Sequence, residues 1–407
     1  MEGQRSPSHS ALDAAHGYRA QQQAKIGKVP SNESIESKVS RAFRHLQQFF
    51  PDLEKHKLIS DYRRQFSPVN TNWDDPVDQS IIQDLKAKIE SACKTLGYSL
   101  RDGVSIGMLH AEGTEAMQQP VMMTDTSVIM MTGNLRMLIH RTAKLLALSV
   151  PFTKHDGHQF KISEDIKEAV ALVNKNEQLR KDWADLFIDH AVNSGAPYQG
   201  KVVLVTGLER QTMWGDLSEA MSLFVVGHEY AHHILKHSLA GSASASGMDS
   251  ELSHEMEREA DMLGLKLSMH AGAAENESNY FAIFGVGAFV VLAVIEYCRH
   301  AVQVLNHGEV KKESRATHPP LVERLESLAQ EVPKLIAYHP NNTSATRRIH
   351  GMFVGIVHNA WRAAEPILLR AHQEGHRPVY RDEGGWLPGR GIVESTSTPT
   401  APGNGKI

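Results

Sequence analysis

Only two cysteines, Cys93 and Cys298, stand among the 407 residues. Two thiols cannot build a disulfide framework, and they read as reduced side chains of a cytosolic protein. The first 25 residues hold no apolar stretch, so no secretory leader is expected and the location read from the sequence is cytoplasmic. Long apolar runs are also scarce. The longest, Tyr280–Ile295, spans sixteen residues and contains Gly285 and Gly287. That is short of the ~20 residues that cross a bilayer, so a buried core helix is expected and membrane association is not. Positive charge has no excess: 43 Lys+Arg face 47 Asp+Glu, for a formal net charge of -4. Nucleic acid is therefore not expected as a partner. A mean hydropathy of -0.34 excludes a multi-span membrane protein. A hydrophobic share of 41% excludes a wholly disordered chain.

Histidine is what the chain does have, with 23 residues. Patterning along the chain reads as α+β, mostly α, with one small sheet. Residues 1–32 are polar and read as a disordered tail. Residues 33–100 read as an N-terminal helical region, with helices at about 33–50 and 78–96. Strands are expected at Val104–Leu109, Val121–Met123 and Ser127–Thr132, the last two around a turn at Asp125. Residues 135–149 read as a helix, 151–162 as loop, and 163–175 and 177–193 as helices. Lys201–Thr206 reads as a strand between Gly200 and Gly207. Asp216 and Glu219 form a capping-box-like start for a helix to about His237. The small polar loop GSASASG, 241–247, breaks the pattern. Helices follow from about Ser253 to His270 and over 280–298, 319–329 and 342–373. Residues 101–330 are expected to form one domain with an insertion at about 136–200. Residues 331–381 form a C-terminal helical region, and 382–407 a disordered tail.

The chemistry gathers at His228-Glu-Tyr-Ala-His232. On a helix, i and i+4 share a face, so His228 and His232 can hold one zinc ion. Glu229, rotated about 100° round the helix, can reach a water on that ion. Zinc lowers the pKa of such a water toward ~7 and a carboxylate takes its proton, which is machinery for hydrolysing an amide. The apolar run Ala220–Val226 buries the preceding turns and makes the helix a rigid support. A catalytic zinc needs a third protein ligand. The next helix offers Glu257-Arg-Glu-Ala-Asp261, with two carboxylates one turn apart. One can bind zinc while the other holds a ligand histidine by its free N–H, and chemistry alone leaves the choice open. Of the neighbouring histidines, His233 points off the ligand face and His237 is too far along the chain to share the ion. His254 carries no role.

These motifs together resemble the gluzincin zinc peptidases, and within them the group of the CAAX prenyl endopeptidase and bacterial HtpX. The resemblance covers about residues 100–330 and implies a zincin-like catalytic domain. It implies His228, His232 and Glu257 as ligands of one zinc ion, Glu229 as general base and Asp261 as the group orienting a ligand histidine. Thr317-His-Pro-Pro-Leu-Val-Glu-Arg324 resembles the group's T-H-P-x-x-x-x-R element, which implies that His318 and Arg324 face the cleft and stabilise the oxyanion. Met130-Met-Thr-Gly133 resembles a strand end that recurs before a helix in the group. Two departures stand out: about ninety residues separate Gly133 from His228, and the membrane spans of the two named members are missing. The layout is also similar to that of the soluble phage-exclusion peptidase Lit.

The function expected is a zinc-dependent metalloendopeptidase acting on a protein or peptide substrate, held as an extended strand along an edge strand at 127–132. The alternative is a catalytically retired peptidase fold acting as a regulatory or binding protein. The sequence leaves the oligomeric state open.

Overall fold

The computed structural model describes residues 9–26, 71–111, 113–154, 160–193, 203–237, 250–273, 278–311, 319–336 and 342–379, with single positions at 40, 43, 47 and 54. The helix expected at 33–50, the loop 241–247, His318 and the tail 382–407 lie outside the described residues or almost wholly so.

The elements in chain order are α1 (His9–Ile26), α2 (Pro76–Thr95), β1 (Val104–Leu109), β2 (Ala116–Pro120), β3 (Ser127–Thr132) and α3 (Gly133–Ser149). A short antiparallel strand pair, β4 (Phe152–Lys154) and β5 (Phe160–Ile162), follows, then α4 (Ile166–Lys175), α5 (Glu177–Val192), α6 (Leu208–Leu235) and α7 (Ser250–Gly272). The chain continues with α8 (Tyr280–Ile283), α9 (Val286–His307), α10 (Leu321–Leu335) and α11 (Asn342–Gln373). Helix dominates and the sheets are small, as the α+β reading expects.

The main sheet has the order β1-β3-β2. β1 runs parallel to β3, with Val104 opposite Ser127 and Leu109 opposite Thr132. β2 runs antiparallel to β3, with Ala116 opposite Met131 and Pro120 opposite Ser127. Period-two alternation divides the side chains between two cores. Ile106, Met108, Ile129 and Met131 enter the main core. Leu109, Val128 and Met130 enter a second cluster with Ala15 of α1. The sheet is thus covered on both faces, which is why β1 and β3 are buried at every position.

Several expectations are corrected. Residues 9–26 carry a helix, not a tail. It has no apolar stripe, and Arg19, Gln22 and Gln23 are among its buried residues. Arg19 forms a bidentate pair with Asp74, with Nη2–Oδ2 at 2.9 Å, and its Nε donates to Ser105 Oγ at 3.1 Å. Hydrophobic patterning cannot detect a helix docked by hydrogen bonds. The β2 strand is Ala116–Pro120, and Val121–Met123 lies in the turn. There the Val121 N–H reaches Thr126 O at 3.1 Å and Met123 has φ 62. The expected edge strand 127–132 is the central strand. The outer side of β1 is also occupied, since Lys86 Nζ donates to Val104 O and Gln23 Nε2 to Met108 O, each at 2.9 Å. β2 is the other edge strand of the sheet. Residues 203–206 bury Val203 and Val205 but form no ladder. Within the span expected as loop, residues 152–154 and 160–162 pair as the antiparallel strands β4 and β5.

The helix expected from Asp216 begins eight residues earlier, at Leu208, after Gly207. Glu219 is not a capping partner: it pairs with Lys88 and accepts from Asn279 Nδ2 at 2.8 Å. The apolar run at 280 continues as α9 to His307, a helix long and apolar enough to cross a membrane by length and composition, yet mostly buried inside the fold.

Candidate metal centre

α6 is the axis of the molecule, packed by α7, α3 and α9. Every residue from Ala220 to His233 is buried. Polar anchors fix its last turns. Tyr230 Oη donates to Glu90 Oε1 of α2 at 3.0 Å. His233 Nε2–H donates to Leu100 O at 3.0 Å, while its Nδ1 lies 2.7 Å from both Ser127 Oγ and Arg101 Nη2. A guanidinium can only donate, so Nδ1 is the acceptor and one tautomer is selected. Burial, then the Arg101 charge, pushes the His233 pKa down to about 4.

α7 lies against α6 at a contact between two glycines. A Cβ on Gly264 would stand 2.8 Å from His228 N and Cα, and one on Gly227 3.0 Å from Gly264 O. Real side chains at either position would part the helices. Their absence lets the carboxylates of α7 reach the imidazoles of α6.

The donors that result are close. His228 Nε2 and His232 Nε2 are 3.0 Å apart. Glu257 Oε2 is 3.5 Å from His228 Nε2, and Oε1 is 3.4 Å from His232 Nε2. A tetrahedral zinc with bonds of ~2.1 Å has ligand edges of ~3.4 Å. The three side chains therefore fit the ion in both donor type and spacing, and they form the cluster able to hold a metal among the described residues. Glu229, on the same turn as His228, is 2% exposed.

Asp261 sits one turn beyond Glu257, with Oδ1 3.0 Å from His228 Nδ1. It leaves His228 Nε2 for the cluster and fixes the ring. Arg324, on the first turn of α10, clamps Asp261 with Nε–Oδ2 at 2.7 Å and Nη2–Oδ1 at 2.6 Å. Burial alone would raise the Asp261 carboxyl, but Arg324 and His228 hold it below the usual carboxylate range. Burial likewise opposes charge on His228, yet hydrogen bonds and charge from Asp261 and Glu257 raise its pKa to about 9.

The structure thus brings together His228, His232, Glu257, Asp261 and Arg324, with Glu229 adjacent. Arg324 meets the cluster through Asp261. His237 carries an interaction that sequence spacing does not reveal: its Nδ1 lies 2.9 Å from His232 Nδ1, and its Nε2 lies 3.1 Å from Glu259 Oε2.

Residues 238–332 match the family model described as peptidase family M48, a span that takes in Glu257, Asp261 and Arg324 and begins after α6. No curated protein and no solved structure matches the chain. The family match, with the donor cluster beside it, supports a zinc-dependent metallopeptidase hydrolase whose substrates are proteins or peptides.

Proposed function

We propose that the chain is a zinc metalloendopeptidase of the gluzincin type, with a zincin-like catalytic unit from β1 to α10. The observation that carries the reading is that His228 Nε2 and His232 Nε2 lie 3.0 Å apart and each has one oxygen of the Glu257 carboxylate within 3.5 Å, a donor set suited to one tetrahedral zinc. When bound there, zinc supplies a Lewis acid that acidifies water and polarises a peptide carbonyl.

The protein's own side chains do the rest. Glu229 takes the proton from the attacking water and passes it to the leaving amine nitrogen, as general base and then general acid. Asp261 keeps His228 in the tautomer whose Nε2 faces the cluster, and Arg324 keeps Asp261 ionised and aimed. By resemblance, His318 donates to the oxyanion. An extended substrate segment pairs with the outer side of β2, where main-chain hydrogen bonds hold it without demanding a particular sequence.

The test compares the intact protein with Glu229→Gln in metal content and in a whole-proteome cleavage profile. The variant is expected to keep about one zinc per chain and to lose peptide cleavage. Cleavage that persists in Glu229→Gln, or an intact protein that takes up no zinc, rejects the reading.

A further inference from the structure

On the metallopeptidase reading, we infer that His237 is a positioning residue for the metal ligand His232, anchored in turn by Glu259, so that the two ligand histidines are held by different chemistry. His228 leans on a carboxylate clamped by an arginine. His232 leans on a second imidazole, with its Nδ1 2.9 Å from His237 Nδ1. The far nitrogen of His237 lies 3.1 Å from Glu259 Oε2.

Two facing ring nitrogens at that distance share one proton. Two protons would clash, and none would set lone pair against lone pair. A metal on His232 Nε2 leaves the ring hydrogen on Nδ1. That N–H donates to His237 Nδ1, which places the His237 hydrogen on Nε2, where it donates to Glu259. Every position in the chain then has one consistent assignment, and the order ends at a carboxylate that accepts and is about half exposed. His237 is no fourth ligand, because it meets the face of His232 opposite to the cluster.

The backbone explains how residue 237 returns to residue 232. Five positions along a continuous helix turn a side chain about 140° away from its starting face. α6 instead ends at Leu235, and Lys236 adopts the left-handed region at φ 62, ψ 29. Its N–H still bonds back to His232 O and His233 O as a helix C-cap. That reversal carries His237 inward to 7% exposure against His232.

The test uses the full chain, stripped of metal, and zinc affinity measured by competition with a chromophoric chelator. Variants are His237→Phe, which keeps ring volume without an acceptor, and His237→Asn, whose Oδ1 replaces the Nδ1 acceptor. Zinc binding is expected to weaken about 10–100-fold in His237→Phe, the range for loss of a group that orients a ligand. His237→Asn should recover most of that loss, and the metal-free unfolding midpoints should stay close to the parent. Equal affinity of parent and His237→Phe overturns the inference while leaving the metallopeptidase reading intact. A parent that binds no zinc overturns the reading and the inference with it. Should either variant fail to fold, ¹⁵N imidazole shifts of the zinc-loaded parent decide. Hydrogens on His232 Nδ1 and His237 Nε2 are expected, and a hydrogen on His237 Nδ1 refutes the positioning role.

Discussion

Gly264→Ala isolates the packing that builds the candidate metal centre, because it touches no ligand. The added methyl would lie 2.8 Å from His228 N and Cα. Favourable contacts between carbons begin near ~3.5 Å, so α6 and α7 must separate by roughly 0.7–1 Å there. Helix backbone cannot swing aside as a flexible side chain can. The 3.5 Å gap between His228 Nε2 and Glu257 Oε2 then opens to about 4.3 Å, well beyond the ~3.4 Å edge of a zinc tetrahedron. Overpacking costs about 1–3 kcal/mol, offset by about 0.5–1 kcal/mol from replacing a mid-helix glycine. The net expectation is a loss of about 0.5–2 kcal/mol in urea unfolding of the metal-free protein and at least a tenfold loss of zinc affinity. Gly351→Ala on α11 is the control: its methyl meets nothing within 4 Å, and it should gain about 0.5–1 kcal/mol with unchanged zinc binding. If Gly264→Ala matches this control in both assays, the close approach of α6 and α7 is not what assembles the cluster.

Glu257→Ala should abolish stoichiometric zinc uptake, read by elemental analysis after dialysis, because two imidazoles hold the ion weakly; retention of one zinc per chain would contradict the ligand set. Arg324→Ala strips the bidentate guanidinium from Asp261, which is 1% exposed and keeps only His228 beside it, and should cost about 3 kcal/mol in urea unfolding. An unchanged midpoint would contradict the clamp. Acid should unfold the protein early. Burial holds His140, His190, His233 and His350 at about 4, below the unfolded value of about 6.5. The unfolded chain therefore binds more protons between these values. The contribution of these four histidines is fully present above pH ~6.5 and is lost as pH drops toward ~4, by up to about 3 kcal/mol each. Circular dichroism should show cooperative unfolding between these limits, and a folded protein at pH 4 would refute the linkage.

What the sequence made legible is local. His228 and His232, like Glu257 and Asp261, are one turn apart on their helices, and one-turn spacing survives any tertiary arrangement. β1 and β3 end where expected because period two matches a sheet covered on both faces. What escaped depends on contacts far apart in sequence. The apolar content of β3 is the same for an edge or a central strand, and only the pairing with β1 and β2 decides. Residues 203–206 belong to an apolar run that reads as a strand, and Val203 and Val205 are buried, but burial alone supplies no ladder partner. The spacing of His237 from the zinc motif ruled out a ligand role, yet gave no sign of its contact with His232. That contact depends on a left-handed lysine, and lysine carries no sequence mark for positive φ. Arg324 was legible as a member of the constellation, whereas its grip on Asp261 emerges only when α10 meets α7.

The docking of α1 has a consequence for the timing of synthesis. Its buried face is made of Arg19, Gln22 and Gln23 beside two alanines, so it cannot collapse early onto an apolar surface. Thr71, the partner of Gln23, lies 48 positions downstream, and Ser105, the partner of His16, lies 89 positions downstream. At about 5–20 residues per second, a ribosome needs roughly 4–18 s to make that stretch. Through that interval α1 stays hydrated and waits. It locks only when Asp74 and β1 are in place, which makes α1 a closure that must follow the first strand of the sheet.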